Sequence, residues 1–357
     1  MLGDFCTSII IPSYAYTFIK IDFLKHLIID PDTLRKFKTI YNIEDLIENL
    51  IRYYPNLEIK EFTIENIEIA LLDHYIRLVG KIMHFSPQNM RTFLESYLLK
   101  FEIQNLKQIV IGLILGMSYE EKKKNINFLV ETYLENTEFI EKMLKFTNLD
   151  EVQLFLKKTI YNIPIREGLL YLKKKREIFV LEAFLDKLYY THLRTQVKRL
   201  NKKEEIMISL LIQYKTEVYN LNVIYRGIKN NIDRKLLSQF LVDNYLFLNE
   251  GILNSLLNLP NVDEFMSNIT YYLNTTLEAK QLFLKLNLNK KHIIRSIEEF
   301  YFTYYFKKFE LKVDDIDMFT ISKIIEVIIK KEKEIKFDIL PRVIKIVHKK
   351  FKMLKKL

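Results

Sequence analysis

Glu102-Ile-Gln-Asn105-Leu-Lys-Gln-Ile-Val-Ile-Gly112 reappears 115 residues later as Glu217-Val-Tyr-Asn220-Leu-Asn-Val-Ile-Tyr-Arg226-Gly227. A worn third copy starts at Glu334-Ile335, a further 117 residues on. Solenoid repeats have periods of roughly 20–50 residues, so this spacing marks a domain-sized unit. Two further markers keep the same period. Glu182, Leu185 and Tyr189 form a Glu, apolar +3, Tyr +7 pattern that recurs at Glu68, Leu71, Tyr75 and at Glu298, Tyr301, Tyr305. Asn148-Leu-Asp-Glu-Val152 recurs as Asn261-Val-Asp-Glu-Phe265 and, more loosely, as Asn42-Ile-Glu-Asp-Leu46. The order is constant: acidic helix start, Glu…Tyr helix, Glu…Asn helix. The chain therefore reads as three related modules, over 1–147, 148–260 and 261–357.

Composition makes those modules helical. The 357 residues include only seven Gly and seven Pro, far fewer than turn-rich β folds or Gly-rich nucleotide folds use. Leu, Ile, Lys, Glu and Phe fill long stretches between breakers, as helices require. Helices are expected over 63–84 and 88–116, split at Ser86-Pro87. Others are expected over 166–200, 203–230, 262–286, 290–308 and 314–355. Asn42 and Asp150-Glu151 mark helix starts, Pro164 should close a helix, and Pro341 should kink or break the last one. Glu102 and Asn105 are three apart and share a helical face. With Glu217 and Asn220 they form a polar pair beside an apolar stripe, the pattern of a hydrogen-bonded junction between helices. Gly112 and Gly116 are read as a close helix crossing.

Several chemistries find no support. One cysteine, Cys6, permits neither an internal disulfide nor a cysteine zinc cluster, and a reducing compartment is expected. The six histidines are scattered singly. No phosphate loop, H-E-x-x-H or G-x-S-x-G motif occurs. No catalytic residue, cofactor site or metal site is expected. The opening segment lacks the form of a secretory signal. The longest apolar run, Ile109–Met117, is nine residues, too short for the ~20 that a membrane-spanning helix needs.

The formal charge is +10, and residues 323–357 hold twelve Lys or Arg against four acids. Such an end favours an anionic partner, whether membrane headgroups, nucleic acid or an acidic protein surface, with Lys349, Lys350, Lys352, Lys355 and Lys356 as the residues that would meet it. A solvated, solubilising face is the alternative. The 22 Tyr and 25 Phe fall mainly on apolar stripes, and no recognisable nucleic-acid module is present.

The stretches YLLKFEIQNLKQIVIG (Tyr97–Gly112) and YKTEVYNLNVIYRG (Tyr214–Gly227) resemble the recurring Glu-x-x-Asn helices of the C subunit of A/V-type rotary ATPases, equivalent to the d subunit of the vacuolar enzyme. Leu181–Tyr189 resembles that family's Glu-x-x-Leu-Asp-x-x-Tyr helix. The third Glu…Asn copy departs, with Phe337-Asp338 in place of Asn and Pro341 following. The resemblance implies an all-α fold of three pseudo-threefold-related helical domains forming a funnel. It implies a non-catalytic rotor subunit of the central stalk, peripheral on the cytoplasmic face of a membrane. The partners it implies are the proteolipid ring of c/K subunits and the D and F axle subunits; no cofactor and no nucleic acid are expected. A basic helical nucleic-acid-binding or scaffold protein stands as the alternative.

Overall fold

Few residues in this chain break a helix, and the computed structural model is built accordingly. It describes residues 12–59, 61–175, 178–310 and 315–354, with side chains at 173–175, 309–310 and 349–354 excluded. No strand occurs among the described residues. The order opens with α1 (Ala15–Lys25), α2 (Pro31–Phe37), α3 (Ile43–Leu50), α4 (Ile64–Phe85) and the 27-residue α5 (Gln88–Ile114). Three short helices follow, α6 (Tyr119–Lys124), α7 (Phe128–Tyr133) and α8 (Thr137–Lys145). Then come α9 (Leu149–Phe155), α10 (Asn162–Lys175), α11 (Ile178–Val197) and the 28-residue α12 (Lys202–Lys229). The short α13 (Arg234–Ser238) and α14 (Glu250–Leu257) precede α15 (Val262–Thr275), α16 (Leu277–Gln281) and α17 (Ile293–Glu310). The chain ends with α18 (Ile316–Lys333), a π-helical stretch at Glu334–Ile339, and α19 (Leu340–Leu354).

Local sequence explains the helix starts. The side chains of Asn42, Asn148 and Asn261 cap α3, α9 and α15, accepting from the amides of Glu44, of Asp150 and Glu151, and of Glu264. Each cap satisfies orphan first-turn amides, and the acids that follow sit at the positive helix end. All three caps are the asparagines of the Asn-apolar-acid-acid marker.

Five sequence readings need correction. The expected helix over 166–200 is two helices, α10 and α11, packed side by side. Gly168 makes that approach close: a Cβ there would meet Leu181 Cδ1 at 2.4 Å and Leu181 Cα at 2.9 Å. Pro164 closes no helix; it lies in the first turn of α10, where its missing N–H costs nothing. The stretch 262–286 divides at Thr276, which is extended (φ −60°, ψ 140°). Gly116 is not part of a close crossing, for it has open space around it and φ +69°. It is the left-handed residue that ends α5, with the amide of Met117 reaching back 2.8 Å to the carbonyl of Gly112. Of the kink or break expected at Pro341, the break does not occur. Pro341 lies in the first turn of α19, directly after a π stretch that takes up the place where the proline's absent N–H would have bonded.

Two compact units result: residues 1–91 with 313–357, and residues 92–312. The boundaries at 147/148 and 260/261 rest on repeated sequence, whereas these units rest on packing. The first unit buries Phe37, Leu46, Leu50 and Tyr54 with Ile67 and Leu71 of α4 and Ile339, Val343 and Ile346 from the C-terminal helices. The second is organised by α11, α12 and α17. Tyr190 stacks on Tyr219 at 4.5 Å and Tyr214 on Tyr301 at 5.9 Å.

Candidate functional site: the buried repeat glutamates

Glu102 lies on α5 and Glu217 on α12, the two longest helices, while Glu334 opens the π stretch. All three are buried, at 2%, 0% and 3% exposure, which is exceptional for an acid unless it is partnered. Each accepts a hydrogen bond from a tyrosine far away in sequence. Tyr161 donates to Glu102 Oε1, Tyr301 to Glu217 Oε2 at 2.7 Å, and Tyr54 to Glu334 Oε2 at 3.3 Å. Burial, together with the neighbouring carboxylate, holds all three phenols well above the ordinary tyrosine range.

The remaining partners differ. Glu217 also receives the amides of Leu246, Phe247 and Leu248 at 3.0, 3.0 and 2.6 Å. Burial pushes its pKa up, and the bonds from Tyr301 and the three amides oppose that. Glu334 takes the amide of Ile29 at 2.7 Å and the ammonium of Lys331 at 3.1 Å. Burial raises Glu334 to about 7 and lowers Lys331 to about 8, each pulled back by the other. The Lys331 ammonium also donates to the carbonyls of Leu27 (2.5 Å) and Tyr53 (3.1 Å) and sits 3.5 Å from the centre of the Tyr54 ring. Glu102 has no cation among the described residues. Asn136 donates to its Oε2 at 2.5 Å, and Glu131 of α7, fully buried, lies within hydrogen-bond reach of it.

The asparagines three residues on make paired bonds to a backbone segment 22 residues later. Asn105 donates to the carbonyl of Asn127 at 2.9 Å and accepts from the amide of Asn127 at 2.8 Å. Asn220 does the same to Val242, at 2.9 and 3.0 Å. The glycines that close the motif match too. A Cβ on Gly112 would meet Lys122 Cγ at 2.7 Å, and one on Gly227 would meet Leu237 Cδ1 at 2.3 Å, each ten residues on. Both helices end alike. Met117 N–H bonds Gly112 O at 2.8 Å beyond a left-handed Gly116, and Ile232 N–H bonds Gly227 O at 3.0 Å beyond a left-handed Asn231. Arg226 pairs with Glu182 at 3.1 Å and lies over the Phe179 ring.

Reading the sequence picks out Glu102, Asn105, Glu217, Asn220 and Arg226, but not Tyr54, Tyr161, Glu131, Asn136 or Lys331; Tyr301 enters only as the apolar +3 member of the Glu298 marker. One signal is available: Tyr54 and Tyr161 follow the capping residues Asn42 and Asn148 by 12 and 13 positions. Of the basic end, the side chains of Lys349, Lys350 and Lys352, and all of Lys355 and Lys356, lie outside the described residues. Among the described residues no group of three or more His, Cys, Asp or Glu is placed to hold a metal ion. No described helix is long and apolar enough to cross a membrane.

The arrangement is one of joints, with buried acids tying helices to distant backbone. Residues 20–337 match the model of the ATP synthase (C/AC39) subunit family. The chain belongs to that family. It is similar to the C subunit of the A-type ATP synthase of Methanocaldococcus jannaschii, 25% identical over 271 residues, covering 74% of this chain and 65% of that protein. The same subunit of Thermoplasma volcanium is 26% identical, covering 64% and 65%, and that of Pyrococcus furiosus 20% identical, covering 64% and 60%. The chain thus spans slightly less than two thirds of the length of these curated relatives. An ATP synthase subunit with an all-α fold is the coarse identity.

Proposed function

We propose that this chain is a non-catalytic central-stalk subunit of an A/V-type rotary ATPase, joining the membrane proteolipid ring to the D and F axle subunits. In that role it transmits torque between ion transport and ATP synthesis or hydrolysis, from a peripheral position on the cytoplasmic face. The observation that carries the reading is family membership over residues 20–337. The buried joints support it mechanically: a torque-bearing part must resist bending, and a buried acid with several donors holds one geometry. Three modules of one design, at 1–147, 148–260 and 261–357, suit a part that sits on a ring. Asn105, Asn220 and Arg226 are then joints within those modules, and Glu102 and Glu217 joints between them. The lysines from Lys349 to Lys356 are proposed to face acidic loops or anionic headgroups at the ring.

The test is affinity purification of the tagged chain from solubilised membranes, followed by mass analysis. Recovery of a small membrane proteolipid together with an axle subunit is expected. Recovery of the tagged chain with neither of them overturns the proposal.

A further inference from the structure

The surroundings of Glu102 hold one acid more than they can hold as charges. Glu131 is fully buried on α7. Its Oε1 accepts from the amide of Asn105 at 2.6 Å, and its Oε2 has no hydrogen-bond donor at all. The groups that bond the pair come from α5, from the start of α8 and from the turn before α10. From α5 come Glu102 and Asn105, and from the start of α8 Asn136, whose amide is given to Glu102. From the turn before α10 comes Tyr161, whose hydroxyl is also given to Glu102. Asn105's other hydrogen bond and its carbonyl are spent on Asn127. Among the described residues, no lysine, arginine or histidine bonds either carboxyl. Two carboxylates within hydrogen-bond reach, both out of water and without a cation, repel strongly. A single proton between them removes one charge and turns the acceptor–acceptor contact into a hydrogen bond.

We infer that Glu102 and Glu131 share one proton, carried by Glu131 Oε2 and donated to Glu102, so that this joint is tight when protonated and loosened when the proton leaves. Glu102 remains the carboxylate because Tyr161 and Asn136 both donate to it. Glu131 is the acid because its only other bond, from Asn105, leaves Oε2 free to donate. Burial first, then the charge of Glu102, lifts Glu131 to about 8 from the usual 4.5, against the hydrogen bond from Asn105. The folded chain therefore binds a proton that the unfolded chain releases between those values. The joint's contribution is complete below the unfolded value and is lost as pH rises toward 8.

Glu131→Gln tests this, because the glutamine amide reproduces the protonated acid: its oxygen can accept from Asn105 and its NH₂ can donate to Glu102. The full-length chain is expected to melt at a temperature that falls between pH 6 and pH 9, with Glu131→Gln falling less and melting higher than the wild type at pH 9. Glu102→Gln places an NH₂ against Tyr161 or Asn136 and is expected to lower the melting temperature at every pH. Difference infrared spectroscopy adds a readout that packing alone would not move. One protonated carboxyl band of the wild type at pH 7 should be lost in Glu131→Gln, while the band of Glu334, raised to about 7, should remain. The inference is overturned if Glu131→Gln fails to fold, if its pH slope equals that of the wild type, or if no protonated carboxyl band is lost in the variant. It is also overturned if added sodium or potassium at fixed ionic strength raises the melting temperature, since a metal cation and not a proton would then occupy the pair.

Discussion

Removing the carboxylate of Glu217 should release the segment between α13 and α14. Residues 241–249 are not helical, so their amides have no ladder partner, yet Leu248 is fully buried. Three consecutive amides, Leu246 to Leu248, and the hydroxyl of Tyr301 all end on Glu217. A buried donor stripped of its acceptor costs about 1–3 kcal/mol. Four donors at the lower bound give roughly 4 kcal/mol for Glu217→Ala, a large part of the ~5–15 kcal/mol that stabilises an ordinary domain. Tyr301→Phe removes one bond to a charged acceptor, about 1.5–3 kcal/mol, and leaves the three amides satisfied. Hydrogen exchange with mass analysis of peptides spanning 241–250 separates the two. Glu217→Ala should lose protection at 246–248 even at temperatures where the rest of α12 stays protected, whereas Tyr301→Phe should keep it. Unchanged protection in Glu217→Ala, or equal losses in both variants, would refute the claim that the carboxylate holds this segment.

Lys331→Met leaves Glu334 buried beside Tyr54 and Ile29 without its cation, and a broken buried pair costs roughly 3–5 kcal/mol; Lys331→Met with Glu334→Gln should recover part of that loss in thermal melts. The same pair carries a pH signature. Glu334, raised to about 7, weakens the fold as pH climbs from the ordinary glutamate range toward 7. Lys331, lowered to about 8, strengthens it above that value as the folded lysine gives up its proton before the unfolded one does; past pH 8 the melting temperature should fall less steeply in the wild type than in Lys331→Met. Gly168→Ala drives a methyl into the backbone of Leu181, and overpacking of this kind costs about 1–3 kcal/mol, read as a lowered melting temperature. Asn148→Ala removes a cap with two bonds and should cost about 0.5–2 kcal/mol, whereas Asn148→Asp should be close to neutral.

Local chemistry is legible in this sequence and distant pairing is not. The asparagines at 42, 148 and 261 announce helix starts because capping is decided within four residues. Glu102 and Asn105, or Glu217 and Asn220, stand out because a repeated polar pair on an apolar stripe needs partners. Who those partners are depends on tertiary approach, so Tyr161 and Tyr301 give no sign of the carboxylates they meet. Lys331 is hidden for a related reason: it counts toward a basic C-terminal stretch, yet it is fully buried and pinned by two carbonyls and an acid. Gly112-x-x-x-Gly116 carries two roles in one motif, a close approach at the first glycine and a left-handed helix end at the second. Only the match with Asn231, 115 residues on, separates them. The sequence Lys173-Lys-Lys-Arg-Glu177 holds no proline or glycine, so helix propensity alone does not separate α10 from α11.

The three glutamates also explain what the third copy kept and what it lost. The asparagine and the glycine act on backbone or side chains 22 and ten residues away, inside one proposed module. Their third-copy positions are Phe337 and Ile344, neither of which can make the same contact. The glutamate acts at long range: Glu102 takes its tyrosine from the second module, Glu217 from the third, and Glu334 from the first. That order is cyclic, so the third glutamate ties the first segment of the chain to the last, beside their shared apolar core. A buried carboxylate is costly wherever it sits, and each copy offsets the cost differently. Glu217 uses three backbone amides, Glu334 uses Lys331, and Glu102 uses a neighbouring acid that can carry a proton. The position is held constant while the means of neutralising it varies, as expected if the tyrosine bond between segments, and not the local charge, is what the repeat preserves.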